Sequence, residues 1–588
     1  MRSGSLPPSA QIASTGLINR AALVSYAARL EQTTIGSTSA ASARPSSAQR
    51  PASIVVQLTS LLLSKRLLWF VVVLGIVVRI RQYIGNRSLW LDESFLALNI
   101  ISRSVKGLLD VPLDFNQAGP AGFLVAEKFA TELFGKGEFA LRAFPLFWGI
   151  LSVPLFALVA LRLLEPLGAV AAVALFSLAG PLIYFSSEVK PYSGDVAAIV
   201  ALLLIGLTAL NRPLSLRRAL ALGILGFLVM QFTYAGVLAA AGIGAALVAL
   251  LALDRRSDRV ASTIVLVGTW AVGAIVFLAT YVASDRAYYS RGGAFAPLPS
   301  SPADVSWYFR RVAYVATDAN LYRTLSDPLV IVSLLAAVLG VVGTVALAAR
   351  NWRSFALVVA PVLATVAASG VHRYPLLSRT MVFFVPLAFL LIAAGSVALA
   401  NKLPAALRGL AIVCVLAVLL AHAAFAGIYN PIHRVEPWAI KESLSYVGQH
   451  WREGDVLYVH YPSQYAFAYY LECECLTIDG NRKPRSLWPA RRAVVPDPSK
   501  QFPRALIPQS RNVIIGVAPA QPLLEYGREA SAIEQHPRGW VLITFYGSVE
   551  ELKQVAQGLL APLGRKGKLR VSKSEDGGRL YLYDFGAR

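Results

Sequence analysis

Apolar stretches of about 18–22 residues recur along most of this chain, separated by short charged punctuation. Runs of that length predict helices that cross a bilayer, because about 20 apolar residues span its hydrocarbon core. They fall at roughly 66–85, 140–161, 166–186, 191–210, 217–233, 236–253, 260–282, 327–349, 354–371, 379–400 and 408–427, about eleven spans in all. Composition agrees: of 588 residues, 56% are hydrophobic and 15% charged, where soluble domains carry about a quarter charged. Mean hydropathy is +0.56.

The formal net charge is +22. Nucleic acid is one reading of such a balance. Arginines dispersed at the ends of apolar runs make membrane topology and phosphate contacts the better one, and no nucleic-acid partner is expected. Lys65 and Arg66 precede the first run. Arg212, Arg217 and Arg218 follow the fourth, Arg255, Arg256 and Arg259 the sixth, Arg350 and Arg353 the eighth, Lys402 and Arg408 the tenth. With the N-terminus inside, all of these fall on the cytoplasmic side, and an odd number of spans puts everything after residue 430 outside.

Three regions follow. Residues 1–55 are rich in Ser, Ala and Pro ("GSTSAASARPSSAQRPAS") and read as a disordered cytoplasmic tail. Arg20 and Arg29 break its apolar patches, so a cleavable signal peptide is not expected. Residues 56–430 hold the spans. Residues 431–588 change character: "EGDVLYVHYPSQYAFAYYL" reads as a strand then a helix, "RNVIIGV" and "GWVLITFYG" as buried strands, "SVEELKQVAQGLL" as a helix, and "LRVSKS" with "RLYLYDF" as a hairpin. The expected fold class is a multi-pass α-helical membrane protein with a C-terminal extracytoplasmic α/β domain. That domain has no Gly-rich phosphate loop and no nucleophile elbow. Its aromatic run favours a core over a glycan-binding surface.

The span interiors are almost free of charge, with Gln231 and His422 as polar exceptions. Charged groups collect instead on the outer side: Asp92 and Glu93 in "WLDESF", Arg142, Glu188, Lys190 and Asp195 in "SSEVKPYSGD", the loop 284–326, and Arg373 and Arg379 in "HRYPLLSRT". In the long loop, "VSWYFRRVAY" reads as an interfacial amphipathic helix. Two adjacent carboxylates cannot point the same way, so one can face a site while the other caps or pairs. A carboxylate near the hydrocarbon boundary holds its proton more tightly, which suits a general base. The plainer alternative is that the pair caps a helix start. Lys190 could simply pair with Glu188, Asp195 could complement a helix N-terminus, and Arg142 could anchor at the interface. His372 and His422 read as ordinary polar residues. Cys414 lies in an apolar run, and Cys473 and Cys475 form a C-x-C too tight for zinc and closable only as a strained disulfide. No cluster has metal spacing and no cofactor is expected; a lone divalent ion such as Mg on Asp92 and Asp195 stays open.

"WLDESF", then "FNQAGPAGFLVAEKFATELFGKGEFALRAFPLFWGILSVPLF", "SSEVKPYSGDV" and "YPLLSRTMVFFVPLAFLL" together resemble the polyprenyl-phosphate-sugar-dependent glycosyltransferases of the GT-C superfamily. The nearest likeness is to the family 39 group of protein mannosyltransferases and lipid A aminoarabinose transferases, over roughly residues 60–430. Two departures stand out: Asn116, Gln117, Ala118, Gly119 and Pro120 replace a usual His-Pro-Pro, and Lys190 stands where Arg is usual. Lysine keeps the charge but loses the bidentate fork. The resemblance implies inverting sugar transfer from a polyprenyl-phosphate donor to a hydroxyl of a lipid, glycan or protein, on the outer face of a bacterial cytoplasmic membrane. Asp92 would be the base with Glu93 beside it. Lys190, Arg379, Arg142 and Arg373 would hold the donor phosphate, and Glu188, Asp195, Tyr192, Asn116 and Gln117 would serve the acceptor or support the site. The alternatives are a transferase of lipid-linked oligosaccharides, or a flippase or transporter with a partner-recruiting outer domain.

Overall fold

The structure is a computed structural model describing residues 65–254, 257–280, 301–302, 305, 330–376, 379–433, 440–478, 482–495, 503–517, 522–544, 549–575 and 578–586. The tail 1–55 lies outside the described residues, as do Arg255, Arg256 and, apart from 301, 302 and 305, the loop 284–326 with its expected interfacial helix. Val55–Arg588 forms one compact unit.

The protein is a helical, multi-pass membrane protein followed by a strand-containing domain. Its helices in chain order are α1 (Lys65–Ile84), α2 (Leu91–Ser102), α3 (Val105–Asp110), α4 (Ala121–Phe134), α5 (Glu138–Leu163), α6 (Pro166–Leu178), α7 (Gly180–Phe185), α8 (Tyr192–Asn211), α9 (Leu216–Met230), α10 (Tyr234–Asp254), α11 (Ser257–Ala279), α12 (Val330–Gly370), α13 (Val385–Ala400) and α14 (Ala405–His433). Among the described residues, seven helical stretches are long and apolar enough to cross a membrane, with α6 and Ala405–Ala421 as shorter apolar helices. The sequence explains the boundaries. Pro166 stands at the first turn of α6, where its missing amide hydrogen costs nothing, and Ser215 caps α9 by accepting from the Arg218 amide. In α12 the helix breaks at Asn351 (φ −152°, ψ 79°), between the two apolar runs read at 327–349 and 354–371.

The spans pack through small residues, as expected where lipid supplies no hydrophobic drive. A methyl added to Gly343 of α12 would land on the Leu391 carbonyl oxygen of α13, and one on Gly395 would land on the Leu339 carbonyl. Arg79 adds a buried charge to this packing. Arg79 of α1, 0% exposed, donates to the carbonyls of Gly75, Phe176 and Ser177. The last two belong to the final turn of α6, where the helix dipole favours a cation.

Beyond α14 come α15 (Ile440–Gln449), β1 (Asp455–Val459), α16 (Gln464–Glu472), β2 (Ala490–Val495), β3 (Arg504–Pro508), β4 (Val513–Ile515), α17 (Pro522–Ile533), β5 (Arg538–Ile543), α18 (Val549–Val555), β6 (Lys568–Glu575) and β7 (Gly578–Asp584). Five strands form one mixed sheet in the order β4-β1-β5-β7-β6, with β1 parallel to β4 and β5, and β7 antiparallel to β5 and β6. Alternation along β1 sends Leu457 and Val459 into one core, Val456 and Tyr458 into another. Both faces are therefore covered, which is why the strand reads as one apolar run. β2 and β3 pair in a separate hairpin that the sequence pattern did not announce.

The first of those two cores does not stop at the domain. It joins Tyr465, Phe467, Tyr469 and Tyr470 of α16 to Phe95, Leu96 and Leu98 of α2 and to Phe115 and Phe123. Phe95 meets the Tyr465 ring edge-on at 4.6 Å. The aromatic run of α16 is thus core, and it seats α2. Cys473 and Cys475 are joined by a disulfide at the end of α16.

Candidate active site

The chain leaves α1 through Asn86 (φ 45°) and runs extended to Trp90, where α2 begins. Asp92 and Glu93 occupy the first turn of α2, where free amide groups favour negative charge. Successive helical positions are about 100° apart, so the two carboxylates diverge. They enter different surroundings.

Glu93 turns inward and is 0% exposed. Arg142 of α5 grips it with two nitrogens, Nη2 lying 2.8 Å from Oε2 and Nε 3.1 Å from Oε1. The Val189 amide donates to Oε1 at 3.0 Å, the Trp90 amide to Oε2 at 3.4 Å, and Arg87 lies 3.6 Å away. Burial pushes the Glu93 carboxyl up, but Arg142 and Arg87 hold it below its ordinary value. This residue caps α2 and ties it to α5. Arg142 also donates to the Arg87 carbonyl at 2.6 Å and is 1% exposed, so its fork is occupied by the protein itself.

Asp92 turns away from Glu93, its side chain 16% exposed. Its Oδ2 lies 2.7 Å from Arg379 Nη1 and 3.2 Å from Lys190 Nζ, and Gln117 Nε2 donates to Oδ1 at 3.2 Å. Lys190 donates in turn to Gln117 Oε1 at 2.6 Å, which closes the ring of contacts. Burial pushes Asp92 up, yet Lys190 and Arg379 outweigh it and bring the carboxyl down to about 2. Desolvation alone would raise the carboxyl, as its place near the hydrocarbon boundary suggests; the two cations reverse the direction. Lys190 is itself lowered, by burial and by Arg379, against the pull of Asp92. Its partner is Asp92, not Glu188.

Glu188 stands behind Trp90, whose indole nitrogen donates to Oε1 at 2.9 Å. Glu188 is 0% exposed, and its Oε2 has no hydrogen-bond partner among the described residues. Burial, reinforced by Glu93, pushes it up to about 7. Arg379 lies 5.7 Å over the Trp90 ring, so the indole bridges Glu188 and the cation. Trp90 belongs to the "WLDESF" motif, and the sequence signal for its role is an aromatic two residues before Asp92.

The loop carrying Gln117 is held in an unusual conformation. Phe115 (φ 63°) and Asn116 (φ 53°) both adopt left-handed backbone. Asn tolerates that region, while Phe does not. Packing compensates: the Phe115 ring is 1% exposed, stacked at 5.3 Å on Phe95 and 5.2 Å from Tyr465. Asn99 of α2 fixes the same loop, donating to the Asp114 carbonyl and accepting from its amide. Strain of roughly 1–3 kcal/mol per residue is thus held by the core that the C-terminal domain completes.

Asp92, Gln117, Lys190 and Arg379 come together, with Glu188 and Trp90 behind them. Asp195 does not join: it is buried and accepts from the Ala235 amide at 3.2 Å, tying α8 to α10. Tyr192 packs edge-on to Phe185. Asn116 bends the loop, and Arg373 is exposed and enters none of these ion pairs. Among the described residues no three His, Cys, Asp or Glu side chains gather to hold a metal ion.

No family model and no curated protein matches this chain. Among solved structures it is similar to ArnT from Cupriavidus metallidurans in the apo state, with 13% identity over 87% of this chain and 97% of that one, at a TM-score of 0.48. The same ArnT bound to undecaprenyl phosphate gives 13% identity, 87% and 98% coverage and a TM-score of 0.45. The oligosaccharyltransferase AglB from Archaeoglobus fulgidus, in complex with an inhibitory peptide and a dolichol-phosphate, gives 12% identity, 87% and 74% coverage and a TM-score of 0.41.

Proposed function

We propose that this protein is a membrane glycosyltransferase of the GT-C type. It moves a sugar from a polyprenyl-phosphate donor to a hydroxyl acceptor on the outer face of the membrane, with inversion. The observation that carries the reading is the Asp92 cluster, a carboxylate held by Lys190 at 3.2 Å and Arg379 at 2.7 Å just beyond the first span.

While Lys190 and Arg379 pair with Asp92 they neutralise it, and it is a poor base. A lipid phosphate entering from the bilayer offers them a second anion. At about 4 Å such a pairing is worth roughly 4 kcal/mol at an effective dielectric near 20. Lys190 and Arg379 turn to the phosphate, and Asp92 recovers proton affinity when the donor arrives. The acceptor oxygen then attacks the anomeric carbon, its proton passes to Asp92, and the bond from carbon to phosphate oxygen breaks. The charge on the leaving phosphate stays on Lys190 and Arg379. Coupling base activation to donor binding also limits attack by water when no acceptor is present. Gln117, bonded to both Asp92 and Lys190, keeps the two aligned as the charges move.

The test uses the purified full-length chain in vesicles with radiolabelled polyprenyl-phosphate sugars and a mixture of lipid, glycan and peptide hydroxyl acceptors. Label should leave the lipid for a hydroxyl with inverted anomeric configuration. Movement of the labelled lipid across the vesicle without transfer would reject the enzyme in favour of a flippase.

A further inference from the structure

About 30 Å from Arg142 along α5, at 1.5 Å per residue, the helix reaches Leu163 and the opposite end of the bundle. There a cavity of about 160 Å³ opens between the end of α5, the start of α6, the middle of α12 and the end of α13. Leu163, Leu347 and Val397 wall it, while Gly168, Ala346 and Ala394 leave the room. An interior lined this way offers water almost no partners, so it suits hydrocarbon.

The mouth is polar. Arg350 lies 2.9 Å from Glu165, with side chains 57% and 44% exposed, and Asn401 completes the rim. α12 breaks at Asn351, one residue past Arg350. At that turn Trp352 is 50% exposed, with the Arg353 guanidinium 5.7 Å over its ring, and Lys402 is exposed beyond α13. An exposed tryptophan beside arginines is the signature of the headgroup level of a bilayer. The cavity therefore opens where the acyl chains meet the headgroups, on the side of the bundle richest in arginine.

We propose that this cavity is a binding site for an anionic membrane phospholipid, one acyl chain filling the space beside Leu347 and the headgroup phosphate resting on Arg350. Charge selects the occupant. Arg350 at the rim is followed by Arg353 three residues on, and the rim's Asn401 by Lys402, against one rim acid, Glu165, so a lipid with net negative charge is preferred to a zwitterionic one. The apolar walls select a lipid over a free phosphate ion. The occupant would wedge the start of α6, the middle of α12 and the end of α13, in a site separate from the Asp92 cluster.

Delipidated full-length protein is titrated by native mass spectrometry with phosphatidylglycerol, with phosphatidylcholine of the same acyl chains, and with inorganic phosphate. One phosphatidylglycerol should bind with about five- to thirtyfold preference over phosphatidylcholine, as roughly one or two basic contacts supply, and inorganic phosphate should not bind. Ala346→Phe, which fills the space, should remove that adduct; Arg350→Ala should keep a lipid but lose the preference. Lipid-free thermal midpoints close to wild type confirm folding, and Ala394→Leu replaces Ala346→Phe if the larger ring does not fold. Undiminished phosphatidylglycerol binding in the filled variant, or equal binding of the two lipids to wild type, overturns the site.

Discussion

Replacing Asp92 by Asn removes a proton acceptor and keeps the shape. Lys190 and Arg379 then lose the charge that neutralises them, so donor binding should hold or tighten. Turnover should fall by roughly 10²–10⁴, the range for losing a general base. An Asp92→Asn protein with full transferase activity would sink the assignment. Glu93→Gln should behave in the opposite way. It leaves Arg142 buried beside a neutral group, and breaking such a pair costs about 3–5 kcal/mol, so the variant should lose thermal stability and yield. A Glu93→Gln protein as stable as wild type would contradict the capping role. Glu188 adds a pH dependence. Its folded value of about 7 lies above the ordinary 4.5, because burial and Glu93 disfavour the anion. Its stabilisation is thus full below about 4.5, falls as pH rises through 7 and levels off above it. Thermal midpoints of wild type and Glu188→Gln from pH 4 to 9 should diverge across that window; parallel curves would refute it. The acidic pair was legible because it stood alone beside a long apolar run. Its division of labour was not, since Arg142 lies 49 positions from Glu93 and Arg379 lies 287 from Asp92. Only the fold brings such partners together.

Between elements, backbone contact sets the position of Arg379. The 3₁₀ turn Arg379–Phe384 runs straight into α13, and α13 lies against α12 through Gly343 and Gly395. Gly343→Val must push the two helices apart, at a cost of about 1–3 kcal/mol for overpacking, and the displacement carries Arg379 with it. Gly340→Ala on the same helix meets nothing closer than Ile392 Cγ1 at 4.0 Å and should be neutral or mildly stabilising. Circular dichroism melts with donor-binding measurements check both; equal behaviour of the two variants would show that the contact does not position the site. The helical runs could be read from hydropathy because a span must satisfy its backbone alone. The β2–β3 hairpin could not: Arg491, Arg492 and Arg504 interrupt any alternation, and its pairing is made against a bulge between Arg492 and Val495.

At the scale of the whole molecule, the question is what the C-terminal domain contributes to the transfer proposed for the Asp92 cluster. Its core is continuous with the buried face of α2, through Tyr465, Phe467, Tyr469 and Tyr470 against Phe95, Leu96 and Leu98. Polar ties run the same way. Tyr470 accepts from the Leu89 amide and donates to Glu138 at the start of α5, Lys441 reaches Glu138 at 3.1 Å, and Arg492 donates to the Leu98 carbonyl and to Asp114. The helix that presents Asp92 is therefore held from above by the domain and from the side by α5. A domain that only recruits partners could be removed without touching transfer; one that completes the core beneath α2 could not. Ending the chain after residue 433 should leave membrane-inserted protein with an exposed apolar α2 and no transferase activity. Tyr465→Ala in the full chain should reproduce part of that loss, at about 3–5 kcal/mol for an aromatic cavity, because it removes the ring that holds Phe95 and the left-handed Phe115. Transfer at the wild-type rate by the shortened chain would show that α2 keeps its place without the domain, and would return the domain to partner recruitment.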